Sequence, residues 1–194
     1  MAQQDSLPAP TGDRVEIRLD AATLWRAAIT LMRLFLGAWM LNSGYSYWAQ
    51  RYGLPPAFPQ PFGTLPASNQ MLVTMIEVGL FNFVKVCEIV GGLCLIFGVF
   101  VPAATLLLLP VSAIVFFNAV FLNLRTDRLL SPTYMGVSCL YMNVVLALAY
   151  IRYYLPMLSL RSAPGGLRDL AGLAGIFGKR DPAEPGCAAR PATL

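Results

Sequence analysis

Apolar residues run almost unbroken from Leu24 to Trp48, about 25 residues that would rise about 37 Å as a helix and cover a bilayer core with some tilt. The pattern then breaks. Prolines at 55, 56, 59, 61 and 66 crowd residues 51–70. Each removes a backbone donor and fixes φ, so this stretch is expected as an external loop rather than a helix or ladder. From Met71 to Phe100 there is no proline, and one helix of that length would extend about 45 Å, beyond the hydrocarbon thickness. The reading is an amphipathic approach segment from Met71 to about Asn82, then a span over 83–100 ending at the Val101-Pro102 turn signal.

A third span is expected over 103–122, with Pro110 freeing a carbonyl one turn earlier and kinking the helix, as membrane bundles tolerate. The polar patch Arg125-Thr126-Asp127-Arg128 separates it from a fourth span over 133–154, where Tyr150, Tyr153 and Tyr154 suit an interfacial aromatic belt. The fold class is therefore an all-α integral membrane protein, a four-transmembrane-helix bundle over 24–156 with both termini cytoplasmic. The orientation follows from Arg14, Arg18, Arg26, Arg152, Arg161, Arg168, Lys179, Arg180 and Arg190 on one side against Arg51, Arg125 and Arg128 on the other. Residues 1–23 are expected as a retained cytoplasmic tail, because Asp5, Asp13, Glu16 and Asp20 do not make a signal peptide. Residues 157–194 form a second tail, in which 166–178 suits a short helix on the inner membrane surface, weakened by Gly172, Gly175 and Gly178.

Composition agrees: 57% of the 194 residues are hydrophobic and 12% charged, more apolar surface than a soluble globule of this size can bury. Lipid is thus the first expected partner, and the net charge of +4 sits mostly at the ends, which argues against nucleic acid. There is no histidine. That excludes bis-His haem, His-ligated zinc or copper and a Ser-His-Asp or Cys-His pair within this chain, and no metal site is expected. The cysteines, Cys87, Cys94, Cys139 and Cys187, show no C-x-x-C spacing and read as packed thiols, with a helix-bridging pair such as Cys94 and Cys139 as the alternative.

An ionisable side chain near the bilayer centre costs a few kcal/mol or more unless paired or hydrated, which directs attention to Arg33, Glu77, Lys85 and Glu88. Arg26, Arg33, Gly37 and Gly44 fall on one stripe of the first helix, while Glu77, Phe81, Glu88 and Gly92 share a face of the second, with small residues permitting close approach. Lys85 precedes Glu88 by three residues, near enough to pair, and the long stem of Arg33 is expected to reach Glu88 from the facing helix. Asn42, Ser43, Asn118 and Asn143 extend this into a polar lining. The alternatives are a ligand or proton site and a structural network that sets helix register; Glu77 also suits a solvated interface position. Trp39, Tyr45, Tyr47 and Trp48 read either as a belt or as a platform for a flat ring such as a quinone head.

Arg33-Leu34-Phe35-Leu36-Gly37 with Ser43-Gly44, and Glu88-Ile89-Val90-Gly91-Gly92 with Phe97-Gly98 and Pro102-Ala103-Ala104, resemble the DoxX/DoxD family of small four-helix bacterial membrane proteins over Leu24 to Pro156. The resemblance implies a membrane subunit acting with a redox partner, of thiosulfate:quinone type in the DoxD branch, with Arg33 and Glu88 as polar core. It implies a bacterial inner membrane location, a quinone as cofactor and a membrane or periplasmic redox partner carrying the electron-transfer centres. Glu88, flanked by Arg33 and Lys85, is then the proton-relaying group, with Asn42, Trp39, Asn118, Asn143 and Glu77 toward the ligand. An assembly or scaffolding subunit is the alternative, a small-solute transporter a weaker one, and the glycine-lined helices also suit a homo-oligomer.

Overall fold

The computed structural model describes residues 20–58 and 65–158, and among them every regular element is helical. Helix α1 (Ala21–Arg51) opens at Asp20, whose carboxylate accepts the Ala21 N–H at 2.8 Å. Helix α2 (Pro66–Glu77) begins on a proline. The expected loop over 51–70 is thus too long at both ends: α1 continues through Arg51, and Pro66 starts a helix. The missing N–H of Pro66 belongs to a group that has no intrahelical partner at N1, so proline there favours the helix instead of preventing it.

Gly79, with φ of 77°, turns the chain from α2 into α3 (Leu80–Phe97), and Gly98, with φ of 72°, ends α3. That conformation falls to glycine because a side chain would strain it. The span expected over 83–100 therefore begins and ends earlier, and the Val101-Pro102 pair lies in the first turn of α4 (Val101–Phe117) rather than closing the helix before it. Helix α4 runs on through Pro110 and passes into a π-helical turn over Asn118–Leu122. A 3-10 turn (Thr126–Arg128) leads to α5 (Met135–Ala149) and then to the short α6 (Ile151–Tyr154).

Three helices, Ala21–Arg51, Leu80–Phe97 and Val101–Leu122, are long and apolar enough to cross a membrane. A fourth span is counted if Met135–Ala149 and Ile151–Met157, bent by 69°, are taken together. Leu31, Phe83, Phe97 and Leu148 are more than 60% exposed on these helices, a cost in water that lipid removes. The chain is a membrane-embedded, multi-pass helical protein. Two compact units divide after Tyr154. In the second, the described residues form a single 3-10 turn over Leu155–Leu158. Residues 21–23 of the expected N-terminal tail open α1, and residues 1–19 and 159–194, including the expected surface helix 166–178, lie outside the described residues.

Within the first unit, α1 packs along α3, α3 against α4, α4 against α5, and α5 returns to α1. Leu36, Leu95, Leu108 and Leu146 are fully buried where these four helices converge. The α1–α3 crossing brings backbone to backbone. A Cβ on Gly37 would stand 2.9 Å from the Gly92 carbonyl oxygen, and one on Gly92 2.8 Å from that of Gly37. One turn pair further on, Gly44 meets Ile89 and the Lys85 carbonyl. Glycine on both stripes lets the helices come this close. Tyr154 donates its hydroxyl to the Pro102 carbonyl at 2.8 Å, tying α6 to the start of α4.

Candidate functional site

Lys85 and Glu88 lie one turn apart on the face of α3 turned toward the interior, with side chains 6% and 3% exposed. The Lys85 ammonium donates to Glu88 Oε2 at 2.8 Å, to Glu88 Oε1 at 3.1 Å and to Ser43 Oγ of α1 at 2.9 Å. It also stands 5.0 Å from the Phe81 ring centroid, a cation–π contact that strengthens away from water. The i,i+3 spacing made the pair legible from the sequence; the close α1–α3 crossing supplies Ser43.

This pair lines a cavity of about 670 Å³, within the size range of small-molecule sites. Its walls are largely apolar: Trp39 and Met40 of α1, Met71 and Met75 of α2, Val111 and Ile114 of α4, and Met135 and Cys139 of α5. Thioether side chains conform to irregular ligands. Phe58 stacks on Trp39 with ring centroids 5.4 Å apart and planes 15° from parallel. One polar wall lies where α2 meets the π turn. Ser68 donates to Asn118 Oδ1, and Asn123 Nδ2 donates to Ser68 Oγ at 3.1 Å, Asn118 Oδ1 at 3.1 Å and the Asn118 carbonyl at 3.0 Å. A π-helical turn widens the backbone spiral and often marks a functional position; here it holds Asn118 on the cavity wall. Leu124, at φ of 50°, turns the chain toward Arg125 and Arg128, which are exposed and form part of the rim.

Of the residues expected in the site, the structure gathers Glu88, Lys85, Trp39 and Asn118 around one cavity. Arg33 does not join them. Its guanidinium lies against Gly98, Nη1 being 2.9 Å from where a Cβ would stand, and Gly98 is ten residues, about 15 Å, further along α3 than Glu88. The reason is register: with Gly37 against Gly92 and Gly44 against Lys85, Arg33 falls beside the end of α3. Arg33 Nε is buried without a hydrogen-bond partner. Asn143 is fully buried and donates to Ser112 Oγ at 3.1 Å, joining α5 to α4 away from the cavity lining. Glu77 is exposed at the end of α2, and Asn42 is half-buried outside the lining.

Cys87, Cys94 and Cys139 are free thiols, so the alternative of a Cys94–Cys139 bridge is not realised. No group of three His, Cys, Asp or Glu side chains gathers among the described residues. Reading the sequence missed Ser68, Asn123, Phe58 and Met75 as cavity residues. The available signal was Pro66, which at a helix N1 position puts Ser68 on the first turn of a helix rather than in a loop.

The cavity can hold an apolar molecule with a hydrogen-bonding head. The walls offer aromatic and thioether surface to a ring and tail, the Glu88 carboxylate as an acceptor and the Asn118 NH2 as a donor to a polar head. Comparison of the chain with family models, with curated proteins and with solved structures finds no match.

Proposed function

We propose that this protein is the membrane subunit of a quinone-linked oxidoreductase system of DoxX/DoxD type, with four spans and both termini on the cytoplasmic side of a bacterial inner membrane. The observation that carries the reading is the cavity of about 670 Å³ among apolar helices, with the buried Lys85–Glu88 pair on its wall. Ionisable groups inside a membrane mark ligand, proton or ion sites by default. A quinone, when bound, supplies two-electron, two-proton carrier chemistry. The residues of this chain bind and orient it: Trp39 and the methionines enclose ring and tail, and Glu88, held by a Lys85 that also donates to Ser43, is the group that accepts a proton at its carboxylate oxygens. With no histidine in the chain, the electron-transfer centres belong to a membrane or periplasmic partner.

The test is gentle extraction of the protein from its own membrane, followed by native mass spectrometry with quantification of bound quinone. Quinone at one equivalent per chain together with a redox protein is expected. A large assembly lacking both quinone and a redox subunit would replace this reading with a scaffolding role. Glu88-dependent solute uptake into proteoliposomes without bound quinone would replace it with transport.

A further inference from the structure

A buried ion pair is stable only when the remaining hydrogen-bonding capacity of both ions is met. The two partners here differ in that respect. An ammonium has three protons and no lone pair, and three acceptors stand around Lys85 Nζ: Ser43 Oγ and both oxygens of Glu88. The Phe81 ring covers it further. Its donor capacity is spent within the protein. A carboxylate offers about four lone-pair sites, and Lys85 supplies the only hydrogen bonds that Glu88 accepts among the described residues, one to each oxygen. This leaves a carboxylate 3% exposed on the cavity wall with half its acceptor capacity open.

The opposite holds at Asn118. Its Oδ1 accepts from both Ser68 and Asn123. The amide orientation is set by the network, because Asn123 Nδ2 also donates to the Asn118 main-chain carbonyl and must therefore be the NH2 end. The capacity that Asn118 retains for an occupant of the cavity is its own NH2. The site thus offers an acceptor at Glu88 and a donor at Asn118.

We infer that Glu88 is the recognition group for a ligand hydroxyl, so that the cavity selects an amphiphile bearing an O–H over its carbonyl counterpart. Resting on the proposed quinone-linked function, this means that the reduced, hydroxyl-bearing quinol is the form held at Glu88. A carbonyl oxygen facing the Glu88 carboxylate would set two acceptors against each other in a site where desolvation makes an unmatched polar contact costly. A hydroxyl gives one charge-assisted hydrogen bond in the same place.

The experiment uses the full-length protein in lipid nanodiscs and three probes with the same ring and a two-isoprene tail: the benzoquinone, its dithionite-reduced quinol, and the quinol dimethyl ether, which lacks any O–H. Equilibrium binding is expected to be about tenfold or more tighter for the quinol than for the other two, the factor of one hydrogen bond to a charged group. Glu88→Gln, checked for monodisperse elution and native helicity, should bring the quinol close to the other two. Should that variant fail to fold, the wild-type ratio still decides. Binding of all three probes with equal affinity, or tighter binding of the quinone, would overturn the inference while leaving the quinone site standing. Binding of none would overturn the proposed function and this inference with it.

Discussion

Replacing Gly92 by alanine tests whether the α1–α3 crossing is as tight as it must be to bring Ser43 to Lys85. The added methyl carbon would stand 2.8 Å from the Gly37 carbonyl oxygen and 2.9 Å from the Leu41 backbone nitrogen. Neither atom can rotate away, because both belong to the helical main chain. Restoring an ordinary contact requires the helices to part by roughly half an ångström, and a gap of that order forfeits about a quarter of the dispersion well for each atom pair across the crossing. Overpacking of this kind costs about 1–3 kcal/mol, offset by about 1 kcal/mol from the better helix propensity of alanine, for a net loss of up to about 2 kcal/mol. Reversible unfolding in mixed SDS micelles, followed by circular dichroism, reads this directly. Gly37→Ala should cost a similar amount. The double variant should cost less than the sum, because the first methyl has already separated the same pair of backbones. Gly92→Ala more stable than the parent by about 1 kcal/mol, the full propensity gain with no packing cost, would refute the reasoning, since the helices would then have slack that the geometry denies.

Lys85→Met leaves the Glu88 carboxylate buried without its partner and should destabilise by about 3–5 kcal/mol, whereas Lys85→Met with Glu88→Leu should recover most of the loss. Equal stability of single and double variants in the same unfolding assay would show that the pair is not buried as described. Ser68→Ala removes the hydroxyl that joins α2 to Asn118 and Asn123 and should cost about 1–2 kcal/mol. The loss would appear as faster amide exchange in α2 with α3 unchanged, and Glu77→Gln, exposed at the end of the same helix, should stay within about 0.5 kcal/mol of the parent.

Properties carried by local sequence were legible without coordinates. The apolar runs around Leu36, Leu95 and Leu108 require helices, because a backbone inside lipid must satisfy its own hydrogen bonds. Lys85 and Glu88 pair because three residues is less than one turn. The glycines at 37, 44 and 92 mark the faces on which helices can touch, since side-chain size is itself a sequence property. Element ends were less legible. Pro66 stands among loop prolines and shares their local pattern, although proline at N1 begins a helix as readily as an interior one breaks it.

Tertiary structure alone decided which faces meet and at what register. An offset of about 15 Å along α3 separates an Arg33 that reaches Glu88 from one that lies against Gly98, and no local propensity distinguishes the two. The rotation of α5 directed Asn143 to Ser112 instead of the cavity. The Ser68–Asn118–Asn123 cluster joins residues some fifty positions apart through a π turn that has no sequence signature. The sequence determined that this chain must enter a membrane and where its charges would be costly. Packing, which answers to the fit of whole helix surfaces and not to any one residue, determined which of those charges share a cavity.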